Sequence, residues 1–218
     1  MARALTHTPP TQPFFSKHTC TEHAALAAAS YSPPPHIFHM RQTVGNACGI
    51  IGAVHALAAA APHLPQQGDG RGGPFLDGSY LHTFLPRALP LPTPAARGAL
   101  LEDPPPGAPA IAGEAAAAGA AGQSAAPPAE AEVDLHYAAL VPARVGGGWH
   151  LVELDGRKAF PIDHGPLSGG GGGGGGPLAS LLGDAAAVAR KAMALGGDSI
   201  SFNMMALVGG SGEGGGGG

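Results

Sequence analysis

The sequence has few charged residues, two cysteines and no long apolar run, and each shortage argues against a class of protein. Lys, Arg, Asp and Glu make up 12% of the 218 residues, with a formal net charge of -4. Basic residues nowhere cluster, so we expect no nucleic-acid partner. No apolar run approaches the roughly 18 residues of a membrane span, so we expect no membrane partner. Cys20 and Cys48 do not make a disulfide framework, which favours a reducing compartment.

Glycine and proline are abundant, with 37 and 23 residues, a level typical of low-complexity, partly disordered chains. Much of the hydrophobic fraction of 44% is alanine, which buries little area. We therefore expect one domain, over 36–208, between a disordered tail at 1–35 and a disordered Gly-rich tail at 209–218. Inside the domain, the composition predicts a flexible loop over 86–130 and a Gly-rich linker over 166–177.

Hydrophobic periodicity predicts the helices and strands of this domain. In chain order they are a helix from Cys48 that ends at Pro62, a short helix in LDGSYLHTFL that ends at Pro86, strands over 133–141 and 149–155 joined as a hairpin, a shorter extended piece over 158–165, a helix from Leu178 to Gly196, and a last strand over 199–208. Together they indicate an α+β fold with a mainly antiparallel sheet.

Cys48 stands in the first turn of the first predicted helix, in the stretch QTVGNACGIIGAVHALAAA. A helix N-terminus favours negative charge and so lowers the pKa of a thiol, which attacks only as thiolate. Gln42 lies six residues upstream, within reach of the sulfur across the turn. Free cysteine is also among the most buried residue types. The local pattern therefore fits a nucleophile and an inert core residue about equally.

Four stretches in family order closely resemble the ubiquitin carboxyl-terminal hydrolase family: MRQTVGNACGIIGAVHALAAA, VDLHYAALV, HLVELDGRKAFPIDHG and SISFNMMAL. Members of this family are papain-like cysteine peptidases that cleave after the terminal glycine of ubiquitin. The resemblance implies an α+β papain-like fold in which the nucleophile helix packs on the sheet. It also implies that 86–130 contains the active-site crossover loop of the family.

The resemblance implies a role for each of four residues. Cys48 matches the nucleophile, and Gln42 matches the glutamine that stabilises the oxyanion. His136 matches the general base, and Asp155 matches the carboxylate that orients it. These side chains suit the chemistry, because a thiol nucleophile needs a base, an orienting group and an oxyanion donor.

Other residues compete with these assignments. His55 lies about two helical turns past Cys48, and we expect it to be a packed core histidine. His150 and His164 are rival bases beside the ELDGR stretch, and Asp163 is a rival orienting group. We prefer His136 and Asp155 because the motif match assigns them.

The sequence indicates no metal or cofactor. His18, Cys20 and His23 have metal-binding side chains, but no second pair of ligands stands at a zinc spacing. The eight-glycine run lacks the frame of a phosphate-binding loop. The resemblance implies that the partner is ubiquitin or a ubiquitin-like modifier. We also expect a monomer, in the cytoplasm or nucleus rather than in an organelle.

The chain departs from the family pattern on its N-terminal side. Only 41 residues precede Gln42, whereas family domains carry a substantial lobe there, so we expect the fold to be incomplete at this end. Two functions are consistent with the sequence. One is a thiol-dependent deubiquitinating hydrolase that releases small adducts or peptides. The other is a truncated, inactive fragment or a pseudoenzyme that binds ubiquitin weakly.

Overall fold

The computed structural model describes eight stretches of the chain: residues 25–26, 32–34, 36–43, 47–65, 73–102, 136–170, 179–195 and 203–207. In these stretches the regular elements are the helices α1 (Cys48–Ala60), α2 (Tyr80–Ala88), α3 (Pro94–Glu102) and α4 (Leu181–Leu195), the strands β1 (Ala139–Val145), β2 (Gly148–Leu154) and β3 (Ile162–Pro166), and short 3-10 turns at Ala61–His63 and Ser168–Gly170. The predicted α+β fold, with Cys48 on a helix, is confirmed.

The sheet is antiparallel throughout, in the order β1-β2-β3. β1 and β2 form a hairpin in which Val141 lies opposite Val152. The turn is the pair Gly146–Gly147, both with positive φ, which glycine adopts readily and which suits a two-residue hairpin. The hairpin was predicted with a longer tip. Instead, β1 continues to Val145, four residues beyond its predicted end. The strand begins at Ala139, so His136 precedes it rather than lying on it.

Each face of the sheet packs against one helix. On one face the buried side chains pack against Ala56 and Ala59 of α1; they are Ala139, Val141, Val152 and Leu154. On the other face, Leu151 and Leu167 pack against Ala185 of α4. The alternation of strand side chains thus places the hairpin between two helices, with the nucleophile helix on one side.

A second core cluster joins α1 to α2 and to the segment that precedes Gln42. Its buried members are Met40, Ala47, Ile51, Val54, Tyr80, Phe84, Leu85 and Ala88. α2 begins at the Ser79 N-cap, whose hydroxyl accepts the His82 N–H at 3.4 Å. The prediction that this helix ends at Pro86 was wrong, because Pro86 lies inside it and the helix continues to Ala88.

The flexible loop predicted over 86–130 is wrong for its first part, because residues 94–102 form α3. The proline content of this stretch favours a loop, yet Pro94 occupies the first helical position, where a missing N–H costs nothing. The hydroxyl of Thr93 accepts the Ala96 N–H at 3.1 Å and caps the helix. The remainder, 103–130, lies outside the described residues.

The Gly-rich linker predicted over 166–177 is wrong for its first residues, and 171–177 lie outside the described residues. Pro166 is the last residue of β3, and Leu167 is buried against α4. Residues 203–207, predicted as part of the last strand, are exposed and outside regular structure. The predicted tails fall almost wholly on residues that are not described. In the described stretches, no helix is long and apolar enough to cross a membrane.

α3 holds the backbone of the segment that leads into Gln42. The Arg41 N–H donates to the Pro94 carbonyl at 2.8 Å. The Arg97 guanidinium donates to the His39 carbonyl at 2.9 Å and to the Leu91 carbonyl at 3.0 Å. The backbone of Gly98 lies against the Arg41 carbonyl so closely that a Cβ there would overlap the oxygen.

We expect Gly98→Ala to destabilise the protein although alanine favours helix. The added methyl meets backbone and not a flexible side chain, so overpacking should cost on the order of 1–3 kcal/mol. Urea unfolding measures this. The matched control is Gly183→Ala in α4, where the added methyl meets nothing within 4 Å, and stability should rise by up to about 1 kcal/mol. An equal change in the free energy of unfolding for the two variants would contradict the close contact between Gly98 and Arg41.

Candidate active site

Cys48 is the first residue of α1, and its side chain is nearly buried at the N-terminal end of that helix. The N-cap residue, Ala47, supplies no side-chain hydrogen bond. The free N–H groups of the first turn therefore favour a negative charge at this end of the helix. Residues 44–46, including the flanking Gly45, lie outside the described residues.

His136 and Asp155 form a short, buried hydrogen bond. The Nε2 atom of His136 lies 2.6 Å from Oδ1 of Asp155. Only 9% of the His136 side chain and 5% of the Asp155 side chain are exposed, so water does not compete for the bond. The same carboxylate oxygen accepts the Arg157 N–H at 2.8 Å. Asp155 is thus fixed by its own turn, and it in turn orients the imidazole.

Cys48 interacts with the other side of this imidazole. The His136 side chain is the largest influence on the thiol, and it lowers the pKa of Cys48 against the opposing effect of burial. Nε2 is bound to Asp155, so Nδ1 is the ring nitrogen left for the sulfur; this atom is buried and makes no hydrogen bond of its own in the free protein. The imidazole therefore acts on the thiol through charge and proximity, while its other nitrogen is held by Asp155.

The backbone of Tyr137 adds to the stabilisation of the thiolate, because its hydrogen bond also lowers the pKa of Cys48. Gly49 and Gly52 of α1 face the Tyr137 side chain, and a Cβ at either position would make an ordinary contact with it, at 3.8 and 3.7 Å. Sequence reasoning overlooked Tyr137, since a backbone N–H leaves no signal in the side-chain pattern.

Burial disfavours a charged imidazole, but the carboxylate of Asp155 and the sulfur of Cys48 outweigh that effect and raise the pKa of His136 to about 9. The same two opposing effects, burial and pairing, act on the pKa of Asp155. Burial would raise the pKa of its carboxyl, yet the hydrogen bond and charge of His136 lower it below its usual value. A lowered thiol pKa beside a raised imidazole pKa favours a thiolate–imidazolium pair, in which the two groups titrate together.

Gln42 is tied to the same turn that carries Asp155. Its backbone N–H donates to the Gly156 carbonyl at 2.7 Å. Gly156 is buried and leaves no room for a side chain, because a Cβ there would lie 2.9 Å from Ile51 of α1 and 3.1 Å from the Gln42 side chain. This close approach brings Gln42, the nucleophile helix and the Asp155 turn together.

An open groove of about 400 Å³ begins beside Gln42. Its lining residues come from the Gln42 segment, the start of α3 and the stretch before β3; they are Arg41, Gln42, Thr43, Thr93, Pro94, Ala95 and Ala159.

The rival residues pair elsewhere. His150 bonds Asp163 at 2.9 Å, and His164 bonds Glu153 at 3.0 Å. His55 is fully buried in α1, as expected of a packed histidine. His136 is the histidine that lowers the pKa of Cys48.

Within the described stretches, no group of three His, Cys, Asp or Glu side chains is placed to hold a metal ion. The His18, Cys20 and His23 group falls outside those stretches. Sequence reasoning also missed His39, whose buried Nε2 lies 3.0 Å from the Asp155 carbonyl. The two residues are 116 positions apart, so no local pattern could have indicated the contact.

Comparison with known proteins places the chain in a family. The model of "Ubiquitin carboxyl-terminal hydrolase, family 1" matches residues 8–172. This range covers most of the chain, including the predicted tail from residue 8 and all three strands. The chain belongs to the ubiquitin carboxyl-terminal hydrolase family.

Individual relatives agree with this. Ubiquitin carboxyl-terminal hydrolase 3 of Arabidopsis thaliana is 34% identical over 78% of this chain and 60% of its own length. A ubiquitin carboxyl-terminal hydrolase of Drosophila melanogaster is 30% identical over 89% of this chain and 72% of its own length. Ubiquitin carboxyl-terminal hydrolase isozyme L1 of Rattus norvegicus is 33% identical over 79% of this chain and 64% of its own length. The chain thus spans roughly two thirds of the length of these relatives.

The lowered pKa of Cys48 can be tested without any substrate. In a Cys20→Ser background, the rate of alkylation by iodoacetamide should reach half its maximum at a pH below the ordinary cysteine pKa. His136→Gln removes the main interaction that lowers the pKa of Cys48, so the midpoint should move to higher pH. His150→Gln is the control and should leave it in place. An unchanged midpoint in His136→Gln would show that His136 does not govern the thiol.

Proposed function

We propose that this chain is a thiol-dependent deubiquitinating hydrolase, which cleaves after the C-terminal glycine of ubiquitin and releases small adducts or short peptides. The observation that supports the proposal most strongly is the buried His136–Asp155 hydrogen bond, with a raised His136 pKa and a lowered Cys48 pKa at the N-terminus of α1. Membership of the family supports ubiquitin as the partner.

In the first half of the reaction, the Cys48 thiolate attacks the carbonyl carbon of the terminal glycine. Negative charge moves to the carbonyl oxygen, where the Gln42 side-chain amide donates to it. The His136 imidazolium then gives its proton to the leaving amine. The C–N bond breaks, and a thioester between ubiquitin and Cys48 remains.

In the second half, neutral His136 takes a proton from water, and the resulting hydroxide attacks the thioester carbon. The C–S bond breaks, ubiquitin leaves with a free carboxylate, and Cys48 returns to the thiolate. Asp155 stays ionised throughout, since its pKa is lowered. It holds the imidazole in one orientation and stabilises the imidazolium in both halves.

Turnover of a ubiquitin C-terminal fluorogenic amide tests the proposal. Cys48→Ser should abolish hydrolysis because it removes the nucleophile, and Gln42→Ala should reduce the rate by about 10² to 10³ as for other oxyanion donors. Cys20→Ser is the matched control and should not change the rate. A ubiquitin probe with a C-terminal electrophile should label Cys48.

A chain that is cooperatively folded and monomeric, yet neither hydrolyses the amide nor takes up the probe, would overturn this function. The chain would then be a pseudoenzyme or an inactive fragment. Binding to immobilised ubiquitin separates these two outcomes, because a pseudoenzyme retains it.

The alkaline limit of the reaction should depend on Asp155. The pKa of His136 is raised to about 9, in part by the hydrogen bond and charge of Asp155. The imidazolium is therefore present below about pH 9 and is lost above it. Asp155→Asn removes the charge, so the pKa of His136 should fall and the alkaline limb of the kcat/KM profile should move to lower pH.

Asp163→Asn is the control for this profile. It removes the carboxylate that bonds His150 and should leave the alkaline limb where it is. An identical shift in both variants would mean that general loss of negative charge, rather than the Asp155 contact, sets the limit.

A further inference from the structure

His55 lies where three parts of the candidate active site meet. It belongs to α1, which begins at Cys48, and it is completely buried. Its Nε2 atom accepts the Met40 N–H at 3.0 Å, two residues before Gln42. Leu154, one residue before Asp155, packs in the cluster that Ala56 and Ala59 of the same helix cover. His55 thus ties the nucleophile helix to the segment that carries the oxyanion donor, in a helix that also packs beside the residue before the orienting carboxylate.

His39 adds a second link between the same segments. Its ring stacks on that of His55, with centroids 5.3 Å apart and an angle of 23° between the planes. Since a carbonyl can only accept, the His39 Nε2–H donates to the Asp155 carbonyl at 3.0 Å. The two rings form a buried pair that joins the segment before Gln42 to α1 and to the Asp155 turn.

Both imidazoles are neutral in this arrangement. The Nε2 atom of His55 accepts a hydrogen bond, so the ring hydrogen is on Nδ1. Burial lowers the pKa of His55 to about 3 and also lowers the pKa of His39. A pKa this low makes His55 a weak base, so the contribution of the pair lies in the bonds that it makes.

The mechanism does not use His55, yet the position of Gln42 depends on its neighbours. We infer that His55 is a positioning residue of the proposed reaction: with His39 stacked on it, it holds the Gln42 segment in register with Cys48 and Asp155. This inference rests on the proposed function. A displacement of about 1 Å in a catalytic group can reduce the rate roughly a hundredfold, even when the change lies away from the chemistry.

The main comparison is between His55→Leu and His55→Gln. Leucine fills the site but cannot accept the Met40 N–H, whereas glutamine can present its amide oxygen there. On the ubiquitin amide, His55→Leu should lower kcat roughly ten- to a hundredfold, with KM changed by less than about threefold. His55→Gln should recover most of the rate. Val54→Ala, a neighbouring buried residue in the same helix, controls for loss of core packing and should leave kcat near the wild-type value.

A double-mutant cycle shows whether the effect passes through Gln42. If it does, His55→Leu should reduce kcat several-fold less in a Gln42→Ala background than in the wild type, because the donor to be positioned is already absent. Equal reductions in the two backgrounds would overturn the inference and leave a general structural role. So would a wild-type kcat in His55→Leu, or a Val54→Ala variant that loses as much.

A measurement without turnover separates this inference from the proposed function. The backbone amide resonances of Met40 and Gln42 in an NMR spectrum should move in His55→Leu, return towards their original positions in His55→Gln, and stay in place in Val54→Ala. If the wild type has no hydrolase activity but these shifts occur, the proposed function fails and the positioning role stands. If the wild type is active and the resonances of His55→Leu do not move, the positioning role is lost.

Discussion

The close approach of the Asp155–Gly156 turn to Gln42 is the constraint on which the site depends. The Gln42 N–H bonds the Gly156 carbonyl at 2.7 Å, and no side chain would fit at Gly156 between Gln42 and Ile51. The two segments are more than a hundred residues apart, so only tertiary packing can bring them together. α3 on one side and the sheet on the other supply that packing. The oxyanion donor and the orienting carboxylate are therefore positioned by the same contact.

Burial and pairing act against each other on the two carboxylates of this turn and the strand before it, Asp155 and Glu153. Burial alone would raise the pKa of Glu153, yet His164 and the ammonium of Lys158, 2.6 Å away, hold its pKa below the usual value. Lys158 is itself almost fully buried. The Glu153 carboxylate, paired with the Lys158 ammonium and bonded to the His164 ring, ties the stretch between β2 and β3 to the sheet. This stretch includes Asp155, so the ion cluster behind the site keeps the orienting carboxylate in place.

Much of the fold could be predicted from the sequence because its elements leave local signals. The apolar stripe of α1 and the β-rich runs of the hairpin mark their positions within a few residues. α3 was missed because its prolines and alanines were counted as loop, although Thr93 followed by Pro94 is a helix start. The hairpin turn was placed too broadly, since Ala143 to Val145 resemble loop in composition but pair with β2.

The site could be predicted only through motif resemblance. Nothing in periodicity or spacing distinguishes His136 from His150, and the roles of Gln42 and Asp155 likewise came from the family pattern. Contacts that join distant segments, such as His39 with Asp155 or Met40 with His55, have no local signature at all. These contacts depend on backbone groups, which every sequence has, and on packing, which appears only when the chain is folded.

Pairing of histidine with a carboxylate does not by itself define the site. In the described stretches, three such pairs lie on the sheet or next to it: His136 with Asp155, His150 with Asp163, and His164 with Glu153. His136 is the member that also interacts with a thiol at a helix N-terminus. Its pair is the least exposed of the three, which strengthens the charge interaction because water does not screen it. Chemistry at this sheet therefore follows from where α1 begins, because only there does a thiol influence one of the three pairs.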